Sequence, residues 1–252
     1  NDFASIDASN TSQGYVMVKY NGTNEKVKLQ ITCPDQSCYT YLISDRGAYD
    51  TFPLTAGNGS YALQVLENVA GDTYTVSLAQ SINVSIEDEF LPFLYPNQYV
   101  NFHTDSKAVS KGSDLAKDTY SDLDVVQNIY NYVIKNISYD TEKAQNVSYG
   151  YVPDIDDTLS SKKGICFDYA ALMTSMLRSQ NIPTKLEVGY SGDAYHAWIS
   201  VYTADTGWLN GIIEFDGNVW TLVDPTFGAN TDDKTLKKFI GDGSNYILQK
   251  MY

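Results

Sequence analysis

Histidine is nearly absent from this chain of 252 residues, which holds only His103 and His196. Two imidazoles far apart in sequence are too few for a histidine-built metal hydrolase. No run of 18 or more apolar residues occurs, so no stretch has the length of a membrane-spanning helix. Basic residues are also scarce, 17 against 31 acidic, for a net charge of -14. A nucleic-acid-binding protein needs a basic patch, and an anionic membrane surface attracts one, so both partners are excluded. The acidic excess reads as a solvated surface, with attraction of lysine-rich peptides as the alternative. The opening Asn1-Asp2-Phe3 has no methionine and no apolar signal region. The chain is therefore expected to be a mature or trimmed one, with any signal or lipid anchor outside it.

A hydrophobic content of 43% is ample for a globular core, and the length suits one large or two modest domains. The 21 tyrosines, with abundant Asn, Ser, Thr and Asp, point to an extracellular, β-rich protein. Residues 14 to 86 read as short strands between turn signals. Asn21-Gly22 follows Tyr15–Tyr20 as a hairpin signal, Val27, Leu29 and Ile31 alternate with polar residues, and Gly71-Asp72 precedes another strand. Six or seven such strands predict an immunoglobulin-like β-sandwich over residues 1–86, read as a packing partner or spacer. Cys33 and Cys38 bracket Pro34-Asp35-Gln36-Ser37. A short disulfide loop, two thiols and a metal pair are the open readings.

Residues 87–118 read as a connector whose apolar stretch Phe90–Pro96 packs between domains, with His103 structural. A helix is expected from Thr119 to Asn136, with Leu123, Val126, Ile129, Tyr130 and Val133 inward and Thr119, Ser121 or Asp122 as its cap. Ile137-Ser138-Tyr139-Asp140 follows, and Tyr139 is a candidate for lining a site or donating to an oxyanion. Residues 145–163, rich in Asn, Gly, Pro and Asp, read as a long loop. Asp154, Asp156 and Asp157 there lack the glycine and distal glutamate of a calcium loop.

The most telling stretch is Lys163-Gly164-Ile165-Cys166-Phe167-Asp168-Tyr169-Ala170. Tyr169, Ala170, Met173, Met176 and Leu177 fall at helical spacing, and Asn181-Ile182-Pro183 ends the run. Cys166 thus belongs in the first turn of a helix. The free N–H groups and the dipole there favour a thiolate, the nucleophilic form, aided by Lys162 and Lys163. His196 opens an alternating strand that carries Trp198 and Ser200 on its own face. A later strand, Val219–Val223, ends at Asp224, where a carboxylate can hold an imidazole in one tautomer. Cys166, His196 and Asp224 read as nucleophile, base and orienter.

Four ordered blocks carry a resemblance: Gly164–Ala170, Asn181-Ile182-Pro183-Thr184, His196-Ala197-Trp198 and Val223-Asp224-Pro225-Thr226. Over roughly residues 120 to 228 they are similar to the transglutaminase-like superfamily core found in many bacterial secreted proteins. The resemblance implies a papain-like α+β fold over residues 119–252, in which the cysteine-bearing helix packs on an antiparallel sheet. It implies a Cys166–His196–Asp224 triad, with no cofactor and no metal. The expected function is acyl transfer on a peptide or carboxamide through a thioester, as a peptidase, amidase or transglutaminase. The partner is then a protein or peptide substrate, cell-wall peptide being one candidate, in a secreted or cell-surface setting. The competing expectation is a non-catalytic cell-surface binding or scaffold protein of the same fold.

Overall fold

A computed structural model describes residues 1–191, 193–210, 213–215, 220–222 and 246–252. It divides into two compact units, Asn1–Pro92 and Phe93–Tyr252.

The first unit contains strands β1 (Ala4–Asp7), β2 (Tyr15–Tyr20), β3 (Val27–Thr32), β4 (Cys38–Leu42), β5 (Tyr49–Pro53), β6 (Gly59–Ala70) and β7 (Thr73–Val84). They form two antiparallel sheets, ordered β1-β2-β5 and β4-β3-β6-β7. The period-2 pattern decides which side is inward. Val16, Val18 and Tyr20 of β2 and Val27, Leu29 and Ile31 of β3 are all buried. The sheets meet through Tyr41 of β4 and Phe52 of β5, whose ring centroids lie 4.8 Å apart edge to face.

The turn expected at Asn21-Gly22 does not close a hairpin. Strand β2 pairs with β1 and β5, while β3 pairs with β4 and β6, so the chain changes sheets here. The glycine has another cause. A Cβ at Gly22 would lie 2.2 Å from the phenol oxygen of Tyr20, which is bonded to Glu67 Oε1 at 2.8 Å. Gly71-Asp72 does join two paired strands, β6 and β7. Cys33 and Cys38 flank the β3–β4 turn and carry no disulfide.

The second unit opens on a 3-10 turn whose last residue is Phe93, then α1 (Lys107–Leu115), α2 (Asp122–Asn136), β8 (Ser138–Tyr139), α3 (Thr141–Asn146), α4 (Ile155–Ser161), β9 (Lys163–Gly164) and α5 (Cys166–Arg178). Strands β10 (Thr184–Ser191), β11 (Ala194–Thr203), β12 (Gly207–Asn210), β13 (Ile213–Phe215), β14 (Trp220–Leu222) and β15 (Tyr246–Met251) follow. The main sheet is antiparallel, in the order β12-β11-β10-β15.

Helix α5 is the hub. Helices α1, α2 and α4 pack on it, and it packs on β10 and β11. Its expected one-sided pattern gives way to burial of every residue from Asp168 to Arg178, as a helix covered on several sides requires. Gly112 of α1 permits one of these crossings, since a Cβ there would sit 3.1 Å from the Met176 carbonyl oxygen.

The stretch 87–118 holds the helix α1, and residues 93–118 fall in the second unit. The loop expected over 145–163 contains α4, because Asp154 Oδ1 caps it by accepting from the N–H of Asp156 and Asp157 at 3.1 and 2.8 Å. Asp156 in turn caps α1, accepting from the N–H of Lys107 and Ala108 at 3.0 and 2.9 Å. Helix α2 starts later than expected, with Ser121 as its cap.

The far end of α5 is held by Arg178, 3% exposed. Its guanidinium donates to the carbonyls of Thr184, Tyr95 and Tyr252 at 2.9, 2.6 and 2.8 Å. Burial pulls its pKa down to about 9, so it stays cationic at neutral pH, at the negative end of the helix dipole. Arg178→Ala strands three carbonyls in the interior and is expected to cost about 3 kcal/mol or more of unfolding free energy. Urea denaturation monitored by tryptophan fluorescence measures this loss.

Candidate active site around the start of helix α5

Cys166 is the first residue of α5, after Ile165 in extended geometry, and it is half-buried. What fixes this helix start is Asp168, 0% exposed. Its Oδ2 accepts from the backbone N–H of Ile165 at 2.8 Å and from Lys143 Nζ at 2.8 Å. Its Oδ1 accepts from the Tyr151 hydroxyl at 2.5 Å. A carboxylate in the first turn complements the helix dipole and satisfies a donor that would otherwise be buried alone. Lys143 lies on α3, which Asp140 caps through the Lys143 N–H at 2.9 Å. Burial, followed by the bond to Asp168, pushes the Tyr151 phenol far above its ordinary range, so it remains a donor.

Glycine is required just before the cysteine. A Cβ at Gly164 would lie 2.7 Å from Cβ of Asp168. The same glycine sits in a two-residue parallel pairing, Ser138 with Lys163 and Tyr139 with Gly164. That pairing ties the exit of α2 to the entry of α5, through Ser138 N–H to Lys162 O and Asp140 N–H to Gly164 O, both at 2.9 Å. Lys162 and Lys163 are exposed, so solvent screens the help expected from them. An open cleft of about 740 Å³ lies alongside, lined by Asp140, Glu142, Lys143, Asn146, Asp157 and Lys163 among others.

The phenols of Tyr139 on β8 and Tyr195 on β11 are both pushed up, first by burial. Negative charge on Cys166 adds to both, and Tyr190 adds to the second. His196 follows Tyr195 on β11. His196 is 8% exposed and pairs in register with Gly189 of β10. Gly189 is sterically obligatory, because a Cβ there would lie 2.1 Å from the Ile247 carbonyl oxygen, beside a register shift between β10 and β15. On the His196 face, Trp198 stacks edge to face on Tyr246 at 5.0 Å. Ser200 donates to Glu187 at 2.6 Å, whose carboxyl is pushed up by burial. The third expected residue, Asp224, lies outside the described residues.

The Lys143–Tyr151–Asp168 cluster is not visible in the sequence reading. Its one signal is an acidic residue three positions after Ile165, the spacing of half a capping box without the usual Ser or Thr. Among the described residues, no three His, Cys, Asp or Glu side chains converge as a metal site. Asp154 and Asp156 are bonded to helix N–H groups instead. Among the same residues, no helix is long and apolar enough to cross a membrane.

Comparison with known proteins adds the following. The profile of the Transglutaminase-like superfamily matches residues 110–211, a span that contains Cys166 and His196 and stops before Asp224. The mouse kyphoscoliosis peptidase (Mus musculus) is 31% identical over 140 residues, covering 50% of this chain and 19% of that protein. The chain thus spans about a fifth of the length of that curated relative. Among solved structures, a proposed cysteine protease from Cytophaga hutchinsonii aligns at 15% identity with a TM-score of 0.41, covering 89% of this chain and 74% of that one. Red sea bream transglutaminase aligns at 14% identity with a TM-score of 0.33, over 86% and 48%.

Two expectations follow from the geometry. Asp168→Ala leaves Lys143 without its counter-charge and the Tyr151 hydroxyl and Ile165 N–H without their acceptor, and costs about 3 kcal/mol of stability, read as a lowered midpoint in thermal unfolding. Cys166→Ala removes a negative charge, so the Tyr139 and Tyr195 phenols titrate at lower pH than in the parent protein. Carbon-13 NMR of ring-labelled tyrosine reads that shift, and unchanged midpoints would place the thiol elsewhere.

Proposed function

Because residues 110–211 belong to the transglutaminase-like superfamily, we propose that this protein carries out cysteine-dependent acyl transfer on peptide or carboxamide substrates. Cys166 is the nucleophile, His196 the base and Asp224 the residue that orients the imidazole. The observation that carries this reading is the placement of Cys166. It is the first residue of a buried helix, and the backbone N–H of Ile165 just before it is held by Asp168.

The proposed chemistry proceeds in two steps. Cys166 Sγ gives its proton to His196 and attacks the carbonyl carbon, forming an S–C bond. The oxygen becomes an oxyanion facing the backbone N–H of Cys166, a donor of a kind worth about 2.7–4 kcal/mol in the transition state. The C–N bond then breaks, and the departing amine takes the proton from His196. Water, giving a proton to His196, then adds to the thioester carbon, the C–S bond breaks, and Cys166 Sγ takes the proton back as the acid leaves. A lysine amine opens it instead to a new amide.

The setting is proposed to be outside the cell, on a bacterial surface or secreted, in keeping with the tyrosine-rich, acidic composition. The first unit is proposed to be an immunoglobulin-like sandwich. Its two antiparallel sheets, ordered β1-β2-β5 and β4-β3-β6-β7, support that assignment.

The test uses peptide libraries with and without an amine acceptor, with products read by mass spectrometry, alongside iodoacetamide labelling near neutral pH. Cys166→Ala is expected to abolish labelling at this residue, and Cys166→Ala and His196→Ala each to lower turnover by about 10³-fold or more. Slow labelling indifferent to His196→Ala, with no turnover of any peptide, favours a non-catalytic binding or scaffold protein instead.

A further inference from the structure

The carboxylate that fixes the start of α5 is also a charge close to the proposed nucleophile. Cys166 and Asp168 are the first and third residues of the helix, and Cα atoms two apart in a helix lie about 5.5 Å from one another. Side chains at that spacing leave the helix on different sides, so the two groups act on each other through their fields and not by contact. Asp168 is fully buried, and water screens a buried charge little. Alone, it would oppose both a thiolate on Cys166 and the oxyanion formed beside it.

The fold brings a cation to it. Lys143 Nζ lies 2.8 Å from Asp168 Oδ2 and 2.6 Å from the Tyr151 hydroxyl. Its side chain is 28% exposed, so the ammonium reaches the carboxylate from the solvent side. The helix that delivers it is tied to the cysteine. Asp140 caps α3 through the Lys143 N–H, and its own N–H donates to the Gly164 carbonyl at 2.9 Å, two residues before Cys166. The other charged groups along this cleft, Glu142, Asp157 and Lys163, are exposed, where solvent screens them. The backbone N–H of Ile165 and the Tyr151 phenol satisfy carboxylate oxygens and bring no charge. The ammonium satisfies one and cancels the charge as well.

We infer that Lys143 is a positioning residue for Cys166: by neutralising Asp168 it lets a carboxylate lock the helix start without setting a net negative charge near the sulfur. The inference rests on the assignment of Cys166 as nucleophile. Asp168 supplies the geometry, and Lys143 keeps that geometry compatible with a thiolate.

Iodoacetamide and iodoacetate, similar in size and different in charge, read the field at the sulfur. Both are applied to the full chain near neutral pH and at low ionic strength. Peptide mapping separates Cys166 from Cys33 and Cys38. The ratio of the iodoacetate rate to the iodoacetamide rate cancels any change in reactivity common to both reagents. Asp168→Asn leaves the ammonium alone and is expected to raise the ratio about twofold, and Lys143→Met leaves the carboxylate alone and is expected to lower it by about as much. The double variant removes both charges, Lys143→Arg keeps both, and Tyr151→Phe removes a donor without a charge; all three are expected to hold the parental ratio. The ratio in denaturing urea identifies a variant that has failed to fold, and Lys143→Arg against Lys143→Gln then carries the test. One ratio for the parent and the folded charge variants overturns the inference and leaves the nucleophile standing. A shift of both single variants in the same direction also overturns it, because a merely structural role ignores the sign of the missing charge. No alkylation of Cys166 in the parent by either reagent overturns both readings.

Discussion

A single buried carboxylate determines how the second unit presents its cysteine. Asp168 sits in the first turn of α5 with no exposed surface and three donors around it: a backbone N–H, a phenol and an ammonium. A buried charge without partners is costly, whereas one that is fully bonded rigidifies what surrounds it. Here the bonded groups come from α3, from the segment before α4 and from the residue preceding Cys166. The same carboxylate therefore joins three stretches of chain and sets the direction in which the helix begins. At the other end Arg178 gathers three carbonyls. An acid at the start and a base at the end both oppose the partial charges of the helix dipole, so α5 is clamped along its axis as well as packed on its sides.

The consequence for chemistry is positional. A nucleophile must be held within a fraction of an ångström of its productive place, and rigid elements do this better than loops. Cys166 is attached to a helix that neither slides nor rotates without breaking the Asp168 bonds. Glycines at positions 164 and 189 serve the same end, since each lets another group come closer than a side chain would allow. One admits Asp168 behind the cysteine. The other admits β15 beside the strand position paired with His196.

Much of this was legible in the residues alone, where the signals are local. The cysteine helix announces itself by its spacing and by Asn181-Ile182-Pro183, and the His196 strand by alternation. The short helices were not legible. Helices α1, α3 and α4 have nine residues or fewer, and their polar sequences give no lasting periodicity, so aspartate caps decide them. Asn21-Gly22 misled because glycine there relieves crowding with Tyr20 and makes no tight turn. The Lys143–Asp168 pair joins residues 25 apart, a tertiary match that no local pattern encodes.

The account comes down to whether the acyl group of a substrate rests on one sulfur. The most direct measurement is rapid acid quench of the protein turning over a carboxamide peptide, followed by peptide mapping. The expected result is the acyl mass on the fragment bearing Cys166, removable by neutral hydroxylamine as a thioester is. Product formed with that fragment unmodified, or with turnover intact in Cys166→Ser, contradicts it.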